Sequence, residues 1–392
     1  MVARSRLEAP EGERGIQAVV FALVAATFLT VYATQPVLPI LTEELGVTPA
    51  VASLTISAVV LGIALANLPF GVIADRFPIR PIVAGGGAVV ALASVTCALT
   101  HSMGVLIGAR FLQGLFVPSL STCLAAYLSR TLPPRRLNVV MGWYVSATVT
   151  GGMGGRLLGG FIFPAEHWRL AFVAAAAAVA GSVAAAMRWL PSRPVSTAKP
   201  TEPSEGFVRL LSRPELLRML SVAFSAFFVF SAVFNYVPFY LSGPPISASV
   251  RMITLVYLAY LMGIPAGPFA GRLTNLFGAG ATLIAGAVAF ALAIGLTLIP
   301  SLPVIAASLA LTCAAFFTMH AAAVGSLNAR LTGSRGKANS LYVLFYYLGG
   351  ATGISATGAA YARWGWHGAA ALGLGVLLVP LMVGVVEAVR RS

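Results

Sequence analysis

The chain has 392 residues, of which 58% are hydrophobic and 9% charged, with a mean hydropathy of +0.90. A soluble domain carries roughly 25% charged residues, so this composition cannot wet a globular surface and reads as a polytopic membrane protein. The net charge of +14 would suggest nucleic acid in a soluble protein; here the basic residues fall in short loops between apolar runs, which excludes that class.

The opening stretch MVARSRLEAPEGERG is polar, and the apolar run behind it continues through Tyr32, Gln35 and two prolines. A secretory signal has a shorter apolar core, so a cytoplasmic tail and a retained first span are expected. Runs of about 20 apolar residues suffice to cross a hydrocarbon core. They stand at roughly 16–41, 50–74, 80–100, 103–129, 137–163 and 168–190, then at roughly 215–242, 248–271, 279–300, 302–329, 336–363 and 366–389. Continuous runs of this length predict helices, since barrel strands are short and alternating. The expected fold class is therefore an all-α membrane protein with twelve transmembrane helices in two pseudo-symmetric six-helix bundles. Cys97, Cys123 and Cys313 lie inside apolar runs, odd in number and without metal spacing, and read as small packing residues.

Between the sixth and seventh runs lies PSRPVSTAKPTEPSEG, the one proline- and serine-rich linker. It divides the chain into an N-terminal six-helix bundle (1–190), a cytoplasmic linker (191–214) and a C-terminal six-helix bundle (215–392), with 207–218 a candidate amphipathic helix on the membrane face. The halves repeat each other. Gly71, Asp75 and Phe77 match Gly271, Asn275 and Phe277; Gly151, Gly152 and Gly155 match Gly349, Gly350 and Gly353; Pro36 matches Pro238. An offset of about 200 residues relates all three sets, the signature of parallel six-span repeats with substrate between them. With both termini inside, the outer loops receive Arg169, Arg251 and Arg363, and the inner side takes every other loop arginine and lysine. That asymmetry sets the expected topology in a bacterial inner membrane.

Three motifs make the chain resemble the major facilitator superfamily over nearly its whole length. GVIADRFPIRP after span 2 looks like the family's G-x-L-A-D-R-x-G-R-K loop, RFLQG in span 4 like its R-x-x-Q-G signature, and GGMGGRLLGG in span 5 like its glycine-rich antiporter motif. The last, with YATQPVLPIL in span 1, resembles the twelve-span drug:proton antiporter branch. Pro78 and Ile79 depart from the loop pattern, and Arg156 stands where the antiporter motif usually has proline. The resemblance implies a conformational latch at Asp75, the only aspartate of the chain, helped by Arg76, Arg80 or Arg130. The glycines Gly151, Gly152, Gly155 and Gly159 permit close helix approach, either as ordinary packing or as a pliable contact with span 8.

Arg110 and Arg156 sit deep in otherwise uncharged runs. A charge held in a bilayer costs roughly 2.5–3.5 kcal/mol on insertion scales, so each marks a pathway or binding site by default. Cavity positions are also expected at Tyr32, Gln35, Asn67, Asn235, Tyr236, His320 and Tyr346, because polar groups at such depth need partners. The five phenylalanines of span 7 suit either packing or an aromatic wall. His320 has the one side chain near mid-membrane in the second half whose ordinary titration suits proton exchange. No membrane-central carboxylate accompanies it, so proton binding would fall to His320, Asp75 or one of the edge glutamates Glu43, Glu44 and Glu166.

The expected activity is secondary active transport, exporting a small amphipathic or anionic compound by alternating access in exchange for protons. An organic-anion uptake symporter or exchanger is the alternative. A small-molecule substrate, membrane lipid and protons are the expected partners of a monomer, with no cofactor or metal implied. An intramembrane hydrolase would need a nucleophile–base set or metal site, and the four histidines are scattered without ligand spacing.

Overall fold

The computed structural model describes residues 11–132, 134–190, 205–331 and 334–390. The first span is helix α1 (Glu11–Tyr32), a 3-10 turn (Gln35–Val37) and a short helix (Leu38–Leu45). Then follow α2 (Pro49–Arg76), α3 (Ile79–Leu99), α4 (Met103–Leu120, resumed as Thr122–Thr131), α5 (Pro134–Leu157, ending in a π-turn Leu158–Ile162) and α6 (Arg169–Trp189). The second half contains α7 (Pro214–Ser242), α8 (Val250–Val256, the 3-10 segment Tyr257–Met262, and 263–277), α9 (279–296) and α10 (Leu302–Ala329). It ends with α11 (335–364) and α12 (366–389).

Ten described segments are long and apolar enough to cross a bilayer. One of them, Arg335–Val389, has 55 residues and would be about 82 Å long if straight, far beyond a hydrocarbon core of about 30 Å. Gly365 breaks it with φ +57° into α11 and α12, and Gly278, with φ +89°, turns α8 into α9. Glycine alone takes such angles without steric cost, which is why each tight reversal carries one. With α5, whose glycines, threonines and serine keep its hydropathy lower, the described residues make the twelve crossings that the apolar runs predict.

The expected amphipathic helix over 207–218 is shorter. It covers Phe207–Leu211, and Pro214 opens α7, so Arg218 belongs to the seventh span. Proline favours the first turn of a helix, where its missing N–H costs nothing. Linker residues 191–204 lie outside the described residues.

Glycines set the closest helix pairs. A Cβ on Gly151, Gly155 or Gly159 would strike the carbonyl oxygens of Ala25, Leu29 and Ala33, so α5 lies backbone-to-backbone against α1 over three successive four-residue steps. In the second half Gly349 and Gly353 meet Phe224 and Phe228 in the same way, pressing α11 on α7. Such glycine stripes let van der Waals contact hold helices where lipid gives no hydrophobic drive. The antiporter-type motif is therefore mostly packing within the first half. Its last glycine, Gly160, is the one that meets Thr254 and Val250 of α8.

Two faces of the molecule are distinct. Arg76, Arg130, Arg330, Arg335 and Arg390 stand at helix ends on one, here the arginine-rich face. One apolar core fills the C-terminal half and enters the N-terminal half from the opposite face, through Val31, Ile56, Met153 and Trp168, reaching mid-helix at Ile63 and Val117. Toward the arginine-rich face the N-terminal half keeps a separate core, with Val20, Ala74, Val83 and Leu128. The halves are thus sealed together at one end. The seal includes Ser57 of α2, whose Oγ lies 3.0 Å from Ala351 O and 3.0 Å from Ser355 Oγ of α11, and Gly358, whose Cβ would touch Ala50.

Candidate functional site

The two buried arginines have different surroundings. Helix α1 stops at Tyr32, just before Pro36, so its last carbonyls have no helical N–H partner. Arg110 fills that gap. Its Nη1 donates to Thr30 O (2.6 Å) and Gln113 Oε1 (2.7 Å), its Nη2 to Val31 O, and its Nε to Thr55 O (2.9 Å). Gln113 in turn donates to Ser94 Oγ at 2.7 Å, and Gly114 packs on Val59 O. The R-x-x-Q-G motif is therefore a staple joining α1, α2, α3 and α4. Arg110, expected on the cavity wall, is fully buried inside the first half and satisfied there. A guanidinium held by three carbonyls has little left for a ligand.

Arg156 lies where the halves meet. Its Nε donates to Gln35 Oε1 (2.8 Å) and its Nη1 to Gly152 O (3.1 Å), while Nη2 has no hydrogen-bond partner, although the residue is 1% exposed. Three tyrosine rings surround it: Tyr32 of α1 at 4.2 Å, and Tyr260 at 4.2 Å and Tyr257 at 5.0 Å from α8. Ring faces carry partial negative charge and attract a guanidinium. Pro238 removes the N–H that would bond Phe234 O, and the Tyr257 hydroxyl donates there instead at 2.8 Å. The cage is thereby anchored to α7, as Arg110 anchors the matching break at Pro36.

A lane of rings runs on from the cage. Phe234 lies 4.6 Å from Tyr260, Phe230 stacks on Phe316 at 4.0 Å, and Phe227 stacks on Tyr346 at 3.7 Å. His320 lies 5.3 Å from the Tyr346 ring, with Nδ1 at 3.1 Å from the Tyr342 hydroxyl. Tyr32, Tyr260, Tyr346 and His320 are half-buried, unlike the phenylalanines behind them. Tyr32 of the first half lies within electrostatic reach of Tyr346, Tyr347 and Tyr260 of the second, so these phenols converge on one space.

The remaining expected positions divide. Tyr32, Gln35, Tyr346 and His320 belong to this space. Asn67 does not: its Oδ1 accepts from Thr122 Oγ1 at 2.6 Å, tying α2 to α4. Neither does Tyr236, fully buried and donating to Ile354 O at 3.1 Å between α7 and α11. Asn235 is buried with neither side-chain polar atom partnered. The expected latch residues sit on the arginine-rich face, where Asp75, well exposed, accepts from Arg130 of its own half, and Arg130 also donates to Ala74 O at 2.7 Å. Arg76 is exposed beside it at the end of α2, and Arg80 opens α3. Sequence reasoning passed over Tyr257, Tyr260, Tyr342 and Tyr347. The i, i+3 and i, i+4 spacing of tyrosines inside spans 8 and 11 was the available signal.

Comparison with known proteins settles the family. The sequence profile described as Major Facilitator Superfamily matches residues 20–257, more than half of the chain. The chain belongs to the Major Facilitator Superfamily. It is 34% identical over 375 residues to the inner membrane transport protein YnfM of Escherichia coli (strain K12), covering 93% of this chain and 88% of that protein. It is 27% identical over 372 residues to the uncharacterized MFS-type transporter YybF of Bacillus subtilis (strain 168), covering 93% and 91%. Among solved structures, the fold is similar to a bacterial homolog of the human lysosomal transporter Spinster in its inward-facing, occupied conformation. There the TM-score is 0.74 at 16% identity, over 97% of this chain and 96% of that one. As a superfamily member the protein is a multi-pass membrane transporter and not an enzyme. The superfamily's R-x-x-Q-G and glycine motifs here build the first half, and the cage around Arg156 lies between the halves.

Proposed function

We propose that the chain exports a small amphipathic or anionic compound across a bacterial inner membrane by alternating access, in exchange for protons. The carrying observation is Arg156, buried between the halves with Nη2 free of any acceptor. Residues 1–190 and 215–392 are the two bodies that rock, with 191–214 as their cytoplasmic tether. The arginine-rich face and both termini are cytoplasmic on the positive-inside rule, which puts the seal between the halves on the outer side. Export is supported by the resemblance of the span 5 motif to drug:proton antiporters. Asp75, Arg76, Arg80 and Arg130 form the latch that holds the cytoplasmic ends together in the opposite state. Arg110 supports the site from behind, and the unit that works is the monomer.

His320 is the group assigned to proton coupling. A second reading, anion exchange, is favoured by one feature: among the described residues every carboxylate stands in a loop or in the first or last turn of a helix. Proteoliposomes of both orientations separate the readings, with labelled benzoate and chloramphenicol as anionic and neutral probes. Antiport predicts that acid on the trans side speeds flux severalfold. Exchange predicts indifference to the gradient and dependence on trans anion. No flux of either probe in either orientation would remove the carrier reading.

A further inference from the structure

Among the described residues, no carboxylate pairs with the Arg156 guanidinium. Tyrosine faces and two neutral oxygens surround it, and its one unoccupied nitrogen lies at the meeting of the halves. Arg110, the other arginine buried mid-span, is committed to backbone carbonyls. The site therefore offers one cationic group, which suits one anionic charge. Carboxylates fit guanidinium N–H groups in a planar, charge-assisted geometry.

The surface next to that nitrogen is aromatic. Tyr260 and Tyr32 flank it, and Tyr260 leads through Phe234 and Phe230 to Tyr346 and His320. Offset or edge contacts between rings give specific, favourable packing to a flat unsaturated ligand. We propose that the site takes a planar aromatic monocarboxylate, with its carboxylate on Arg156 Nη2 and its ring along the tyrosine–phenylalanine lane of α7, α8 and α11. This deepens the carrier reading above and rests on it.

The same geometry couples occupancy to the gate. Tyr257 and Tyr260 come from the second half, and Arg156, Tyr32 and Gln35 from the first. The guanidinium links the halves through the tyrosine faces of α8. A carboxylate competes for that charge and frees α8 from it, so the anion that fits is also the one that lets the sealed side open. A neutral or cationic analogue cannot replace the tyrosines and leaves the seal intact.

The test titrates purified full-length protein in lipid nanodiscs with benzoate, benzamide and benzamidinium, which share a phenyl ring and differ in charge. Cyclohexanecarboxylate serves as the non-planar acid. Benzoate is expected to bind at least about tenfold more tightly than benzamide or cyclohexanecarboxylate, and benzamidinium to show no saturation over the same range. Arg156→Gln should bring benzoate down to the level of benzamide. Arg156→Lys should keep the order with weaker benzoate binding, which a collapsed site would not do. The comparison among ligands on the unaltered protein stands whether or not a variant folds. Equal binding of benzoate and benzamide, tighter benzamidinium, or no benzoate saturation in the millimolar range overturns the charge assignment; equal binding of the cyclohexane acid overturns the aromatic one. Flux of the same compounds in proteoliposomes keeps the two proposals apart. Transport of benzamide or benzamidinium in preference to benzoate sinks the substrate class and leaves the carrier, whereas benzoate that binds but never crosses sinks the carrier and leaves the site.

Discussion

Arg110→Leu should leave little folded protein. The leucine fills part of the volume but strands the carbonyls of Thr30, Val31 and Thr55 and the amide oxygen of Gln113, all inside the first bundle. Buried acceptors without partners cost about 1–3 kcal/mol each, and breaking a buried charged network typically costs about 3–5 kcal/mol. Total stabilities run to about 5–15 kcal/mol, so this is a large share. Arg110→Lys should fall between, because one ammonium cannot reach carbonyls on both α1 and α2 as a planar fork does. Melting of the purified variants, followed by loss of the monodisperse chromatographic peak, measures this. An unchanged melting temperature with lost transport would instead return Arg110 to the substrate path.

A cross-link at Ser57 and Ser355 should stop transport. These hydroxyls, from α2 and α11, lie 3.0 Å apart in the seal between the halves. A disulfide needs Cβ atoms about 3.8 Å apart, and the hydrogen-bond contact between the two Oγ atoms sets these side chains against each other, so a modest backbone shift brings two sulfurs at these positions into bonding range. Ser57→Cys with Ser355→Cys, in a background lacking Cys97, Cys123 and Cys313, should lose at least about tenfold in benzoate or chloramphenicol flux once oxidised, since rocking of the halves is obligatory in such carriers. Reductant should restore it. Full flux from quantitatively oxidised protein would mean that the seal never opens.

The sequence carried more of the architecture than of the site. Apolar runs located all twelve crossings, and Gly278 and Gly365 fall between the runs where the reversals occur. The repeat of Pro36 and Pro238 proved informative in a way that periodicity could not show. Each proline frees a carbonyl, and a side chain from another helix fills the gap near it, Arg110 in one half and Tyr257 in the other. Charge at depth identified both arginines but could not say which one was already satisfied, because backbone carbonyls of distant helices leave no mark in a sequence. Asn67 and Tyr236 were misplaced for the same reason: their partners, Thr122 and Ile354, are far away in the chain. The tyrosines of α8 were passed over because an uncharged ring in an apolar run resembles packing until a cation is found beneath it.

The central claim is that the two bundles rock about the Arg156 site, and spin-label distances across both faces test it most directly. Exposed Phe77 and Gly336 report the arginine-rich face, and exposed Thr48 and Trp364 the sealed face. Each pair, changed to cysteine and labelled, can be measured with and without Gly358→Trp, a wedge against Ala50 in the seal. The account predicts that the wedge lengthens the 48–364 distance and shortens the 77–336 distance. Lengthening of the first with no change in the second would contradict it.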